Sequence, residues 1–311
     1  MADAGDIEKE NLRFKREEGL KQVSLARLAE FGLTPRRSLG QNFLIDDNIL
    51  RLILRVLGCR PEDVVLEVGA GLGVLTAALA KVARHVHAFE VDRRLEHPLR
   101  ATLGEAANVT LHFTDIMEAR LDSLDPSPTL CASNLPYSVA APFLIEALRA
   151  LPGLRRYCVM VQKEIADRMG AAPGGKNYGV LSVWVQLYAR IVQIRPLART
   201  IFFPIPHVDS CLVVLERVAA EYEPACDKDY LKAVVQAAFG QRRKTLVNAL
   251  AGGLHLPREV VAAVASSLGL SARVRAEQLS PGWFVDLARS LGALGCDSSG
   301  WHSEPESANQ A

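Results

Sequence analysis

The chain has 311 residues, with 36 Lys and Arg against 35 Asp and Glu and a formal net charge of +1. That length exceeds what one hydrophobic core usually organises, so one large domain with a smaller one attached is expected. Apolar residues make up 49% and charged residues 23%, and no apolar run is long enough to span a bilayer, which excludes a membrane protein; the near-neutral charge alone argues neither for nor against nucleic acid.

Residues 1–32 read as a charged N-terminal extension. Its start, MADAGDIEKENLRFKREEG, has neither the apolar core of a secretory signal nor the acid-poor character of a transit peptide, so a cytoplasmic location is expected. Within it "VSLARLAEFG" has helical spacing and a Gly stop; after it "LTPRRSLGQNFL" has no period, and "DDNILRLILRVLG" is an amphipathic helix opened by Asp and closed by Gly. From there strands alternate with helices: "DVVLEVG", "VLTAALAKVA", "HVHAFEVD", "RRLEHPLRATL", "VTLHFTD", "TLCASNLP", "APFLIEALRAL", "RRYCVMVQ", "KEIADRM". The order implies a parallel sheet covered on both faces, and the continuous apolar runs agree. After a helix at "NYGVLSVWVQLYA" come two strands, "ARIVQIRPLA" and "CLVVLERV", joined by the loop "TIFFPIPHVDS" and expected as an antiparallel addition at the sheet edge. An α/β domain is thus expected over 33–218. "YLKAVVQAAFGQRRKTLVNALAG", "PREVVAAVASSLGL" and "SPGWFVDLARSLGAL" read as helices of a small domain over 219–294, and the polar 295–311 as a disordered tail.

The segment "VVLEVGAGLGVLT" runs a strand into a glycine-rich turn and a helix. Gly69, Gly71 and Gly73 let backbone approach a ligand, but the pattern alone leaves dinucleotide, flavin and S-adenosylmethionine enzymes open, as well as a turn with no ligand. Glu90 ends the second strand, where an acid accepts from ribose hydroxyls, and Asp115 ends the third, suited to an adenine amine. With Glu67 inside the first strand, the set describes a nucleoside without pyrophosphate, although each acid singly could do no more than cap the next helix.

"SNLPYS" ends the fourth strand and therefore lies beside the glycine turn at the carboxyl edge of the sheet. The lone pair of a base's exocyclic amine is delocalised into the ring; an amide oxygen and backbone carbonyls that accept its protons restore its nucleophilicity. Asn134 and the carbonyls of Leu135 and Pro136 supply such acceptors, Pro136 stiffens the loop, and Tyr137 offers a ring on which a flipped-out base stacks.

The order QNFL, ExGxGxGxLT, Glu90, Asp115, NLPY, "VQKEIADRM", "YGVLSV", "FFPIPHVDS" and "FGQRRKTL" resembles the ribosomal RNA adenine N6-dimethyltransferase family over about residues 33–290. The resemblance implies a Rossmann-like, S-adenosylmethionine-dependent methyltransferase domain with a small all-helical C-terminal domain. It implies Asn42, Leu44, Gly69, Gly71, Glu90, Asp115 and Asn134 as cofactor contacts, and Asn134 to Tyr137 as the catalytic loop with Phe202 as a second stacking face. "SLGQNFL", "NLPY" and "AFGQRRKTL" point to its small-subunit branch, whose substrate is a pair of adjacent adenosines in the hairpin loop near the 3′ end of 16S rRNA. The alternatives are the 23S rRNA branch and a binding or assembly factor without catalysis. One departure from the family pattern is His207, where Lys is usual; it carries little charge at pH 7 and weakens a phosphate contact there.

Arg242, Arg243 and Lys244, consecutive on a predicted helix, are candidate RNA contacts, with solvated helix face as the plainer reading. Trp184 is expected in the core and Trp283 with Phe284 under the last helix. Six cysteines lack CxxC pairing, and His85, His87, His97 and His112 lack ligand spacing, so no metal is expected. The partner expected is the small ribosomal subunit or its precursor, and the default oligomeric state is a monomer.

Overall fold

A computed structural model describes residues 20–36, 39–218, 227–241, 243–297 and 300–301. The chain forms two compact units: Met1–Ala140 with Arg156–Lys163 and Gln193–Val214, and Ala141–Arg155 with Glu164–Val192 and Leu215–Ala311. The second therefore collects segments from the middle of the chain as well as from its end.

In the first unit, α1 (Leu20–Glu30) precedes a two-residue strand β1 (Phe43–Leu44) and α2 (Asp47–Leu57). Asp46 caps α2 by accepting from the Asn48 and Ile49 amides, and Gly58 ends it in the left-handed region at φ 62°, as the Asp and Gly of the sequence foretell. The main chain then alternates β2 (Val64–Val68), α3 (Val74–Ala80), β3 (His85–Phe89), α4 (Glu96–Leu103), β4 (Val109–His112), β5 (Leu130–Asn134) and β6 (Arg156–Gln162), while α5 (Ala140–Ala150), between β5 and β6 in the chain, falls in the second unit from Ala141 on. β7 (Ala189–Leu197), β8 (Phe202–Phe203) and β9 (Ser210–Arg217) follow.

The seven-stranded sheet has the order β4-β3-β2-β5-β6-β9-β7. The pairs β4/β3, β3/β2, β2/β5 and β5/β6 are parallel. The Lys163 amide donates to Asp209 O and the Arg217 amide to Arg155 O, so β9 runs antiparallel to β6, which makes the sheet mixed. All of β2 is buried, and Val65, Val86, Leu130 and Met160 share one apolar cluster with Leu79 and Leu99 of the covering helices. Chain order reverses between β2 and β5, which makes their carboxyl ends the switch point of the sheet.

The aperiodic stretches around QNFL and FFPIP, expected as loops, in fact pair: Phe43 opposes Phe203 and Leu44 opposes Phe202, antiparallel. A two-residue bridge is too short to leave a period in the sequence. In the second unit, α6 (Lys163–Met169) and α7 (Val180–Tyr188) join α8 (Lys228–Gly240), α9 (Leu246–Gly253), α10 (Arg258–Ser267) and α11 (Pro281–Gly292). Trp184 and Phe284 are fully buried, as expected. The long helix expected through FGQRRKTL is interrupted, for α8 stops at Gly240 and Arg243 and Lys244 lie exposed in the turn before α9. Arg242 lies outside the described residues. The expected tail contains a short antiparallel pair, β10 (Cys296–Asp297) with β11 (Gly300–Trp301); the rest of it, like residues 1–19, lies outside the described residues. No helix among the described residues is long and apolar enough to cross a membrane.

Gly73, at the start of α3, has φ +79°, and a Cβ there would stand 2.5 Å from Leu99 Cδ1, a fully buried side chain with no room to retreat. Gly73→Ala should therefore cost about 2–4 kcal/mol, combining left-handed strain with overpacking; a urea denaturation showing under ~1 kcal/mol of loss would contradict the packing described.

Candidate active site

Four of the five parallel strands, β2 to β5, end by releasing their next residues into one open cleft. β2 contributes Val68, Gly69 and Gly71; β3 contributes Phe89 and Glu90; Thr114, Asp115 and Ile116 follow β4; Asn134 to Val139 follow β5; Leu39 to Phe43 enter from the N-terminal side. A cleft at a switch point has the position of a small-molecule site.

The glycine turn is fixed by the Gly69 and Ala70 amides, which donate to Phe89 O at 2.8 and 3.0 Å. At Gly69, φ is +78° and a Cβ would lie 3.0 Å from Pro136 Cδ, so glycine is required both by the backbone and by the loop pressed against it. Glu90 is 7% exposed; its Oε2 accepts from the Gly71 amide at 2.8 Å and its Oε1 from the Asp92 amide at 2.9 Å. Burial nonetheless pushes its carboxyl upward, against the lowering effect of those amides. Each oxygen retains a further lone pair, the arrangement that suits a vicinal diol.

Asn134 Nδ2 donates to Asn42 O at 2.7 Å, and Asn42 Nδ2 to Gly40 O at 3.1 Å. The amide nitrogen of Asn134 is thereby committed, which fixes its oxygen as the group left to accept from a ligand. Pro136 O accepts from the Val139 amide and the Leu135 amide donates to Met160 O, both at 3.1 Å, so the loop is a braced platform. Tyr137 is half-buried and its hydroxyl bonds Ser210 Oγ at 2.8 Å; burial raises its pKa and keeps the phenol neutral. Asp115 lines the cleft while its Oδ1 accepts from the Met117 amide at 2.9 Å.

The cleft thus brings together Asn42, Gly69, Gly71, Glu90, Asp115 and Asn134 to Tyr137. Leu44 lines an adjoining smaller cavity with Glu67, Gly69, Gly71 and Asn134. Phe202 lies elsewhere: 1% exposed, it belongs to the apolar cluster of Leu44, Ile201 and Leu212. Supporting groups are Gln41, the first residue of QNFL, whose Nε2 donates to Asp92 Oδ2 at 2.9 Å, and Asp92 itself, held down to about 2 chiefly by the Arg94 guanidinium. Among the described residues no cluster of His, Cys, Asp and Glu could hold a metal ion.

Glu67 is 1% exposed and its Oε2 has no hydrogen-bond partner. Burial, with the nearby Glu90 charge adding to it and the Thr76 hydroxyl opposing, pushes its carboxyl from 4.5 to about 8. A carboxyl with a raised folded value holds a proton that the unfolded chain has released, so the fold loses stability as pH climbs from about 4.5 through 8. Glu67→Gln removes the titrating group; its urea midpoint should gain on the parent from about pH 5 to about pH 8, and parallel pH profiles would show that Glu67 titrates normally.

The sequence profile of the family described as "Ribosomal RNA adenine dimethylase" matches residues 32–292. The chain is 42% identical over 270 residues to "Ribosomal RNA small subunit methyltransferase A" of Streptomyces avermitilis, covering 85% of this chain and 91% of that protein. It is 39% identical over 278 residues to the protein of the same name from Geobacillus kaustophilus, covering 86% and 94%. Of solved structures, a dimethyladenosine transferase from Plasmodium falciparum superposes with TM-score 0.67 at 25% identity over 82% of this chain and 99% of that one. The 23S rRNA methyltransferase ErmE does so with TM-score 0.54 at 26% identity, over 81% and 100%. A family match over nearly the whole described chain, on a cleft built from the strand ends that the motifs occupy, places this chain in the ribosomal RNA adenine dimethylase family.

Proposed function

We propose that this enzyme transfers methyl groups from S-adenosylmethionine to N6 of two adjacent adenosines in the 3′-terminal hairpin loop of 16S rRNA, as a cytoplasmic monomer acting on the small ribosomal subunit or its precursor. The observation that carries the reading is the braced Asn134–Tyr137 platform opening into the same cleft as Glu90 and the glycine turn. The relatives named for the small subunit support the choice of rRNA.

The residues fit the donor. The Gly69 and Gly71 backbone has no side chain to obstruct a close approach, Glu90 keeps acceptors for a ribose, and Asp115 stands at the next strand end for an adenine amine. When bound, S-adenosylmethionine supplies an electrophilic methyl group on a sulfonium, whose C–S bond breaks as the N6 lone pair attacks, leaving a neutral thioether. The protein's part is positioning and electrostatics. Asn134 Oδ1 and the Leu135 carbonyl accept the amine protons and direct its lone pair toward the donor, while the Tyr137 ring holds the flipped base. The proton leaves after attack, once nitrogen carries the positive charge, so no general base of high pKa is required. A second round on the monomethylated amine gives the dimethyl product. Arg243 and Lys244, exposed at the α8–α9 turn, are proposed as phosphate contacts along with Arg242.

Glu90→Ala should weaken S-adenosylhomocysteine binding by at least about tenfold, since charged hydrogen bonds contribute ~1.5–3 kcal/mol each; unchanged affinity by calorimetry would remove Glu90 from the donor site. In a tritiated-methyl assay on 30S and 50S subunits, transfer should be confined to 30S, and transfer confined to 50S would move the chain to the 23S branch. In that assay Tyr137→Ala should lose about 1–3 kcal/mol of transition-state stabilisation and Tyr137→Phe much less. Asn134→Ala should be worse than either, with the second methylation affected at least as much. Normal dimethylation by Asn134→Ala would refute the role given to the loop.

A further inference from the structure

The braces on the Asn134–Tyr137 loop act at different points. The Leu135 amide is held by Met160 O and the Pro136 carbonyl by the Val139 amide, which fixes the backbone, but neither contact reaches the aromatic ring that stands half-buried beyond it. The contact that does comes from Ser210, 73 residues along the chain, whose Oγ lies 2.8 Å from the Tyr137 hydroxyl.

Ser210 is itself held in place. It is 2% exposed and opens β9. The carbonyl of its neighbour Asp209 accepts from the Lys163 amide at 2.8 Å, and the Asp209 carboxylate accepts from Arg199 Nε at 2.7 Å. Between Arg199 and Asp209 the chain is tied at a further point by the pairing of Phe203 with Phe43, which lines the cleft. Tyr137, Lys163, Arg199 and Ser210 all belong to the first unit. A serine oxygen is one rotatable bond from the backbone, so a fixed strand start presents its hydroxyl at a fixed place. Among the described residues the Tyr137 hydroxyl is the only hydrogen-bond partner of that Oγ.

A phenol oxygen lies on the long axis of its ring, so a bond there sets the direction in which the ring points and leaves its tilt to packing. Direction is what a stacking platform needs, because a ring swung into another rotamer no longer faces the base. We propose that Ser210 is a positioning residue for methyl transfer: its hydroxyl holds Tyr137 in the rotamer that receives the flipped adenine. This rests on the platform reading above. Ser210 is not among the residues lining the cleft and acts on the reaction through the Tyr137 phenol alone. A serine that merely completed the packing of β9 would affect the rate whether or not that phenol were present.

The test compares Ser210→Ala, Tyr137→Phe and the double variant by methyl transfer to 30S subunits and by calorimetric titration with S-adenosylhomocysteine. Ser210→Ala should lower kcat about threefold, the low end of what one hydrogen bond contributes. KM for 30S subunits and S-adenosylhomocysteine affinity should stay within about twofold of the parent, because the RNA backbone and the donor are held by other residues. Tyr137→Phe should match Ser210→Ala, and the double variant should be no slower than either. A parental kcat in Tyr137→Phe, a further fall in the double variant, or a loss in Ser210→Ala confined to KM or to S-adenosylhomocysteine affinity overturns the inference. The platform reading survives each of these results so long as Tyr137→Ala is slower than all three variants. Tyr137→Ala as active as the parent overturns both.

Discussion

The site depends on how closely two loops approach where β2 and β5 end. Gly69 sits so near Pro136 that a single methyl group would collide, and across the same point Asn134 reaches the backbone of Asn42. Three segments remote in sequence, the glycine turn, the NLPY loop and the QNFL entry, are thus held at van der Waals and hydrogen-bond distance. The short β1/β8 bridge secures the QNFL entry from its other side. Acceptors at fixed positions need no reorganisation when charge develops, which is what an amine nucleophile asks of its surroundings.

Electrostatics grade across this junction. Asp92, paired with Arg94, stays strongly ionised. Glu90, also buried, is drawn up chiefly by burial and down by the Gly71 and Asp92 amides. Glu67, deepest of all, has no cation among its influences. Whether a cation or only backbone amides face each buried acid therefore decides which way its carboxyl is drawn.

Much of the first unit was legible because parallel strands buried on both faces leave continuous apolar runs that helices punctuate, and each chemical motif sits where such a run ends. Glu90, Asp115 and Asn134 were singled out in this way, by position along a strand rather than by residue type, and they line one cleft. What escaped has no periodicity to betray it. The β1/β8 pair spans two residues; the α8–α9 break falls where Gln241 to Lys244 have good helix propensity and tertiary packing decides otherwise. Phe202 carried a stacking role only through family resemblance, whereas the apolar contacts of β8 seat it in the core. Ser210 matters through a partner far along the chain, the Tyr137 hydroxyl, and no local pattern encodes such a pair.

The ladder between β2 and β3 runs the full length from Val64↔His85 to Val68↔Phe89, but that between β2 and β5 pairs Val65↔Leu130 and Leu66↔Cys131. Beyond it the Val68 amide finds the Ser133 hydroxyl, at 2.9 Å, in place of a backbone carbonyl. One side chain thus terminates the zipper between two central strands without orphaning a buried donor. The crevice is a controlled parting of the sheet, and the Val68 amide, sitting at the fork, is a natural reporter of occupancy: its solvent exchange registers how far the strands are spread, independently of whether any chemistry follows.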